Sequence, residues 1–368
     1  MAKPLTIRER FTVNGNTGPS FDFIRLAAAL LVIYDHCFLV TGYKHLTHEW
    51  MFAGVDPGAF AVAVFFSLSG YVNAESFRRD PRAGSFLLKR ALRLYPALIA
   101  VVLACTIIVA PLVTALPVVA YFTEPRTALY LLSGLLPLWQ TLPGVFDTAP
   151  SHYVNGSLWT LRYEIFCYLG LAAFGQLIGA RRAVALAAAV LSIAPTALAG
   201  PIAVSAPFGL GPTINQALPL FGYFAGGVCI SLFAEHLREY SAAIAAAAVV
   251  VVAGMIFGGF AVVFPLAGSY LVVVLGNSRL LDLGFMRRFA WWGDFSYGTY
   301  IWAFPVQQLI YWAWPRPWWF NLALGIPLTL AMAMASWHVV ERPCLKLKTW
   351  LNGRGRSEAL RNLPAEQP

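Results

Sequence analysis

Apolar runs long enough to cross a bilayer recur along the whole chain and constrain its fold more than any other feature. A helix needs roughly 20 predominantly apolar residues to cross the hydrocarbon core. Only 12% of the residues are charged, whereas a soluble domain has about 25%. The sequence therefore predicts an all-α polytopic membrane protein with about ten transmembrane helices. The runs lie at residues 21–43, 57–77, 93–114, 155–178, 181–199, 214–234, 241–257, 259–276, 293–313 and 318–340.

Basic residues indicate the orientation of these helices, because cytoplasmic loops carry an excess of Lys and Arg. With the N-terminus in the cytoplasm, most of the 26 lysines and arginines fall in inner loops and tails. Both termini are then cytoplasmic, which predicts a tail at 1–20, a membrane domain at 21–345 and a tail at 346–368. The outer loop 114–153 contains an apolar stretch, Leu129–Trp139, too short for a further crossing. We expect a short interfacial or re-entrant helix there.

Net charge and cysteine usage argue against two other classes of function. The net charge of +9 follows the inner loops, which predicts contact with membrane lipids and no binding of nucleic acid. The five cysteines are scattered, with no CxxC pair and no metal-ligand spacing. We therefore expect neither a disulfide framework nor a metal site. Nothing in the sequence predicts an oligomeric state.

The first predicted transmembrane helix carries ionisable residues inside an apolar run. Arg25 and His36 are eleven residues apart. That spacing is close to three helical turns, so both side chains point to one face, about 16 Å apart. An ionisable residue within the membrane is by default a candidate functional residue, because its desolvation is costly. In the structural alternative, Arg25 extends to lipid headgroups and His36 hydrogen-bonds a neighbouring helix.

Three further helices supply candidate residues. Ser69 lies beside small residues but lacks the G-x-S-x-G elbow of a nucleophile, so packing is its favoured interpretation. Arg90 and Arg93 share a helix face, where they could bind a diphosphate or 3′-phosphate jointly, or contact anionic lipid. Glu164 lies at a depth comparable with that of His36. It could orient the imidazole or pair with an intramembrane arginine.

Several segments, taken in order, resemble the acyltransferase-3 family of membrane O-acyltransferases. They are the Arg25-x10-His36 pair, FFSLSGYV, KRALRLYP, SLWTLRYEIFCY, FSYGTYIWAFPVQ and HVVERP, and they extend from about residue 21 to 345. Two positions depart from the family pattern. Thr160 replaces the Ser of a Trp-Ser-Leu segment, and Phe304 stands where an aromatic-His-Pro segment has its His, so the role of that His is not transferred. We expect the stand-alone form, without an appended SGNH esterase-like domain.

The resemblance implies transfer of an acyl group, most often acetyl, from cytoplasmic acyl-CoA to a hydroxyl of a cell-surface or exported carbohydrate. The expected partners are acyl-CoA as co-substrate, a carbohydrate or glycolipid acceptor, and the lipids of the bacterial cytoplasmic (inner) membrane. His36 would be the general base or a transient acyl carrier, oriented by Glu164. Arg25 would hold an anionic group of the donor or the developing oxyanion. The acyl-CoA would be bound by Arg90, Arg93 and Ser69.

Three different functions stay open on the sequence alone. A transporter or flippase would also need many spans with intramembrane charges. The chemistry could instead use an amine acceptor or a succinyl donor, because nothing in the sequence marks the acyl pocket. The acceptor could also be a macrolide or another secondary metabolite.

Overall fold

The computed structural model describes residues 4–14, 18, 20–49, 55–180, 214–278 and 294–346, and this part of the chain is helical and contains no strand. Its α-helices, numbered in chain order, are α1 Ile7–Val13, α2 Phe21–Val40, α3 Lys44–Glu49, α4 Pro57–Arg79, α5 Ala83–Ala104, α6 Ala110–Val113, α7 Val118–Thr123, α8 Pro125–Leu131, α9 Leu158–Ala180, α10 Ile214–Phe233, α11 Ser241–Ile256, α12 Phe260–Val263, α13 Ser269–Asn277, α14 Ser296–Ala313 and α15 Trp318–Ser336. The all-α class is therefore confirmed for these residues.

Each predicted transmembrane helix except the fifth coincides with a helix of the structure, and the fifth, 181–199, lies outside the described residues. Among the described residues, five helices are long and apolar enough to cross a membrane. They are Phe21–Val40, Pro57–Arg79, Ala83–Val113, Phe260–Asn277 and Trp318–Lys346. The count of ten spans and the cytoplasmic position of both termini stay predictions.

The outer loop contains two short helices, α7 and α8, and a 3₁₀ turn at Leu132–Gly134, rather than the single short helix that the sequence predicts. Each is too short to cross a bilayer, as expected. Several apolar side chains here are exposed, including Val119 at 77% and Leu135 at 64%. Exposed apolar side chains on short helices suit a segment that lies on the membrane surface.

Helix α4 packs backbone to backbone against α10, and glycines allow this close approach. A Cβ at Gly70 would lie 2.0 Å from the carbonyl oxygen of Phe224, and one at Gly227 would lie 2.0 Å from that of Ser67. Any larger residue would force the helices apart. This contact fixes the central part of α4, which carries Ser69.

Helix α14 is tied to its neighbours by buried amide side chains. Pro305 has no N–H, so the helix leaves the carbonyl of Ile301 without its usual partner. Asn155 supplies that hydrogen bond from its Nδ2 at 3.0 Å. Two residues after Pro305, Gln307 donates its Nε2 to the carbonyl oxygen of Ile33 in α2 at 2.8 Å. These bonds fix α14 against α2 and against the start of α9.

The N-terminal tail holds an ordered helix, α1, packed under the bundle. Thr6 and Glu9 form a capping box at its start. Arg8 donates to the buried carboxylate of Glu75 in α4 at 3.2 Å. The ring of Phe11 packs edge-on against Tyr71, with 5.6 Å between centroids. This part of the tail is therefore folded onto the membrane domain.

Candidate active site

A cavity of about 270 Å³ lies among α2, α4, α5, α9 and α14 and extends along α4 from Val62 to Asn73, toward the end of the bundle where α4 ends and α5 begins. The positive-inside pattern predicts that this end faces the cytoplasm. The cavity brings together five of the six site residues that the sequence predicts, namely Arg25, Ser69, Arg90, Arg93 and Glu164. His36 is not among its lining residues. Further polar lining residues are Asn73, Lys89, Thr160, Tyr168, Asp294, Ser296, Tyr297 and Tyr300.

Glu164 is the centre of a hydrogen-bonded cluster on the cavity wall. The Ser69 hydroxyl donates to its Oε1 at 3.1 Å, and the Tyr168 hydroxyl donates to the same oxygen. Asn73 donates its Nδ2 to the Ser69 oxygen at 3.0 Å. Ser69 and Asn73 are four residues apart on α4, and Glu164 and Tyr168 are four residues apart on α9, so each pair shares one face of its helix. The bond from Ser69 to Glu164 joins the two pairs. The carboxylate of Glu164 is bound here rather than to His36.

Two of the cavity arginines share a carboxylate that the sequence alone does not assign to the site. Arg93 donates to Asp294, and Nη1 of Arg25 lies 3.8 Å from the Oδ2 of the same residue. Arg25 also lies 3.1 Å from Asp22. Asp294 could have been predicted as an arginine partner, because it is a single aspartate just before an apolar helix, at the end of the bundle that carries most arginines. Arg93 further packs on the ring of Trp337, 5.9 Å from its centroid.

The remaining two cations lie at the mouth of the cavity. The ammonium of Lys89 is 2.6 Å from Asp80, which lies in the turn between α4 and α5. Hydrogen bonds from Arg82, Lys89 and Ser85 hold the pKa of Asp80 well below its usual range. Arg90 packs over the ring of Phe86, and its buried Nε has no hydrogen-bond partner within the described part of the chain. Arg90 is therefore the lining cation best placed to bind an additional anion.

His36 lies nearer the outer end of α2 than this cavity. Its ring packs edge-on against Phe304 of α14, with 4.9 Å between centroids. Its Nδ1 is buried and has no hydrogen-bond partner among the described residues. Arg25 approaches Asp294 at the start of α14 and His36 approaches Phe304 farther along it. Both side chains thus face the same helix, as the eleven-residue spacing predicts.

Part of the cavity wall lies one helical turn from Phe304, which contacts His36. Tyr300 lines the cavity, and its hydroxyl hydrogen-bonds that of Thr160 and donates to the Ser157 carbonyl oxygen at 3.1 Å. The ring of Phe65 packs against Tyr300, with 5.5 Å between centroids. Phe304 lies one turn beyond Tyr300, a rise of about 6 Å. We call Phe65, Thr160 and Tyr300 the partition.

Comparison with known proteins gives matches along most of the chain. Residues 19–338 match the model of a family described as an acyltransferase domain. An O-acetyl transferase of Shigella phage Sf6 is 26% identical over 343 residues, which cover 88% of this chain and 94% of that protein. Nodulation protein 10 of Rhizobium leguminosarum bv. viciae is 29% identical over 377 residues, with coverage of 92% and 96%. No solved structure matches the chain.

Proposed function

Because the chain belongs to the acyltransferase-3 family, whose domain covers residues 19–338, we propose that it transfers an acyl group, acetyl in the first instance, from acyl-CoA to a hydroxyl of a carbohydrate. The family and the relative named as an O-acetyl transferase support a membrane O-acyltransferase over a transporter or flippase. The cation-lined cavity is the observation that carries the choice of donor. We place the protein in the bacterial inner membrane as a multi-pass protein.

The cavity suits one end of an acyl-CoA. Ligand pockets typically have volumes of about 300–1,000 Å³, so a cavity of about 270 Å³ has room for the acyl-pantetheine arm and not for the whole nucleotide. The phosphates of the nucleotide would stay at the mouth, where Lys89 and Arg90 lie. Guanidinium and ammonium groups are the side chains that bind phosphate oxygens most strongly.

The three cavity arginines differ in whether a carboxylate neutralises their charge, and we assign them different roles on that basis. Arg25 and Arg93 share Asp294, so their combined excess of charge is small, and they would position the thioester rather than hold a multiply charged phosphate. Arg90 has no carboxylate within ion-pair distance among the described residues. It is the arginine that we assign to the donor phosphates.

His36 would carry the chemical step as a general base. Its imidazole takes the proton of the acceptor hydroxyl while the hydroxyl oxygen attacks the thioester carbonyl carbon. The carbon–sulfur bond breaks, the acyl ester forms, and the leaving sulfur recovers the proton from the imidazolium. In the second role, the imidazole nitrogen itself attacks the carbonyl carbon, the carbon–sulfur bond breaks, and the leaving sulfur takes the N–H proton of the ring. The acceptor hydroxyl then attacks the acyl-imidazole, the acyl–nitrogen bond breaks, and the hydroxyl proton returns to the imidazole. Both roles need a neutral imidazole.

The partition sets a condition on this mechanism. The donor enters on one side of Tyr300, and His36 lies about one turn beyond it. The Tyr300 ring must therefore turn aside before the thioester meets the imidazole. Until it does, the partition keeps water on the outer side away from the thioester.

The test is transfer by purified protein in lipid nanodiscs, with radiolabelled acetyl-CoA and a set of methyl glycosides as acceptors. We expect a labelled product whose bond is cleaved by hydroxylamine, as an ester is and an amide is not. His36→Ala should give no product, and His152→Ala, at an exposed outer histidine, should give the wild-type amount. A product resistant to hydroxylamine would favour an amine acceptor.

The same assay distinguishes the competing functions. Turnover with succinyl-CoA and not with acetyl-CoA would replace the acetyl donor by a succinyl donor. Transfer to a macrolide and to no glycoside would replace the carbohydrate by a secondary metabolite. Passage of a glycoside across the bilayer of liposomes that contain the protein, without any covalent change, would contradict the enzyme and support a transporter.

A further inference from the structure

Tyr153, in the outer loop before α9, has an exposed side chain on a fixed backbone. It is 43% exposed, whereas Gln308 of α14 is completely buried. Gln308 donates its Nε2 to two carbonyl oxygens of the loop, that of Ser151 at 2.8 Å and that of Tyr153 at 2.6 Å. The Val154 N–H donates to the carbonyl oxygen of Gln140 at 2.7 Å. The ring is thus presented to the outside from a rigid support.

The same ring adjoins the environment of His36. Tyr153 packs against Phe304, with 6.5 Å between ring centroids, and Phe304 in turn packs against His36 at 4.9 Å. Gln307, next to Gln308, bonds the carbonyl of Ile33, one turn before His36 in α2. Adjacent glutamines of α14 therefore hold the Tyr153 loop and the His36 turn in fixed relative positions.

The loop segment that carries Tyr153 has few charged residues. The loop segment 135–157 has a single acidic residue, Asp147, and no lysine or arginine. An anionic ligand would find no counter-charge in this segment. An exposed aromatic ring instead suits the apolar C–H face of a sugar ring, because the aromatic face is the negative side of its quadrupole.

Exposure alone would not distinguish Tyr153 from an interfacial aromatic. Trp312 and Trp314, at the end of α14, are 53% and 54% exposed and fit the aromatic belt of a membrane protein. Tyr153 differs from them in two respects. Its carbonyl is bonded to a buried glutamine, and its ring contacts the phenylalanine that packs on His36.

We propose that Tyr153 is an acceptor-binding residue: the face of a sugar ring stacks on its exposed side chain, and one sugar hydroxyl is thereby presented toward His36. This rests on the proposed function, since it names the part of the protein that would hold the carbohydrate acceptor. Phe304, whose ring packs on both Tyr153 and His36, would support the sugar ring beside the imidazole. The donor cavity plays no part in this recognition.

The experiment compares acceptors with and without a ring face, using purified protein in nanodiscs and labelled acetyl-CoA. The acceptors are the methyl glycosides of glucose, galactose and rhamnose, and glycerol, which has hydroxyls but no ring. Tyr153→Ala should raise the KM for a glycoside about three- to ten-fold, as expected for loss of one stacking contact. It should leave the KM for glycerol and for acetyl-CoA within about two-fold. Tyr153→Phe, which keeps the ring, and Trp314→Ala, the matched exposed aromatic, should resemble the wild type.

Each contrary outcome contradicts a definite statement. An unchanged glycoside KM in Tyr153→Ala overturns the stacking role alone. An equal rise in the KM for glycerol and for the glycosides in Tyr153→Ala also overturns it, because that would indicate a general structural effect. The stacking role is overturned as well if the wild type acetylates glycerol but none of the glycosides. A folded wild type that neither hydrolyses acetyl-CoA nor acetylates any acceptor overturns the proposed function, and the stacking role with it.

Discussion

The cavity at the predicted cytoplasmic end and the surroundings of His36 lie about one helical turn apart and have opposite character. The cavity has free volume and is lined by four cations and two carboxylates, several of them paired with one another. His36 instead packs against an aromatic ring and lies beside backbone carbonyls bound by buried glutamines. Under the proposed function, an anionic donor would bind in the first region, and proton transfer at a neutral acceptor would take place in the second.

The contrast between the two regions also shows how ionisable groups are retained within a membrane protein. A buried cation without a partner is strongly destabilising. Arg25 and Arg93 share Asp294, and α2, α5 and the start of α14 are held together as a result. His36 can be neutral, so it needs no carboxylate beside it. The predicted pairing of His36 with Glu164 is for that reason unnecessary, and Glu164 is bound by Ser69 and Tyr168.

The largest expected effect separates the two regions directly. His36→Ala should lower the kcat for transfer by about 10²–10⁴-fold, the usual contribution of a general base. It should leave the Kd for acetyl-CoA within about two-fold, because His36 does not line the cavity. Transfer assays and isothermal titration calorimetry measure the two quantities. An equal loss of donor affinity would mean that the two regions are one site.

The second-largest expected effect is a loss of donor affinity when a cavity arginine is removed. Arg90→Ala should raise the Kd for acetyl-CoA by about 10- to 100-fold, since a hydrogen bond to a charged group is worth roughly 1.5–3 kcal/mol. At saturating donor, kcat should fall much less. The matched control is Arg82→Ala, at a side chain that is 79% exposed, which should change the Kd by about two-fold or less. A kcat defect that saturating acetyl-CoA does not repair would move Arg90 from donor binding to the chemical step.

The sequence predicts the long helices well, because their existence depends on local apolar composition. It does not predict α1, whose seven residues include Arg8, Glu9 and Arg10. That helix is stabilised by contacts with distant residues, such as the bond from Arg8 to Glu75. The sequence also does not predict α7, and α8 begins at Pro125, before the apolar stretch Leu129–Trp139 in which the short helix was expected.

For the candidate site, the sequence predicts which residues are unusual and not how they pair. Arg25, Ser69, Arg90, Arg93 and Glu164 are found together in the cavity. The contacts of Arg93 with Asp294 and of Glu164 with Ser69 depend on how the helices pack against each other, which a single sequence does not reveal. The contact of Glu164 with Tyr168 is one helical turn along α9, so helical spacing alone could have predicted it. The separation of His36 from the cavity depends on side-chain packing at Tyr300, and no motif spacing encodes it.

The partition gives a test of the boundary between the regions. Tyr300→Phe removes the hydrogen bonds to Thr160 and Ser157 and keeps the ring. A neutral hydrogen bond contributes roughly 1 kcal/mol, so loss of these two bonds should let the ring turn aside about five- to thirty-fold more often. We expect the ratio of the variant's rate of acetyl-CoA hydrolysis without acceptor to that of the wild type to rise by a similar factor. Tyr297→Phe, which loses a bond to the Leu94 carbonyl and lies on the same helix as Tyr300, is the control and should not change the ratio. An unchanged ratio in Tyr300→Phe would indicate that the partition does not limit access of water.

The smallest effect concerns the mouth of the cavity. Asp80 is ionised at neutral pH because Arg82, Lys89 and Ser85 hold its pKa well below the usual range, so its pairing with Lys89 weakens only as the pH falls toward that lowered pKa. Asp80→Asn should release the Lys89 ammonium and lower the KM for acetyl-CoA about two- to three-fold at low salt, with the difference reduced at high salt. Kinetics at two ionic strengths, across neutral and mildly acidic pH, measure this. A higher KM would show instead that Asp80 holds Lys89 in the orientation that the donor needs. The pair at the mouth would then act like the paired side chains inside the cavity, which are held in place before the donor binds.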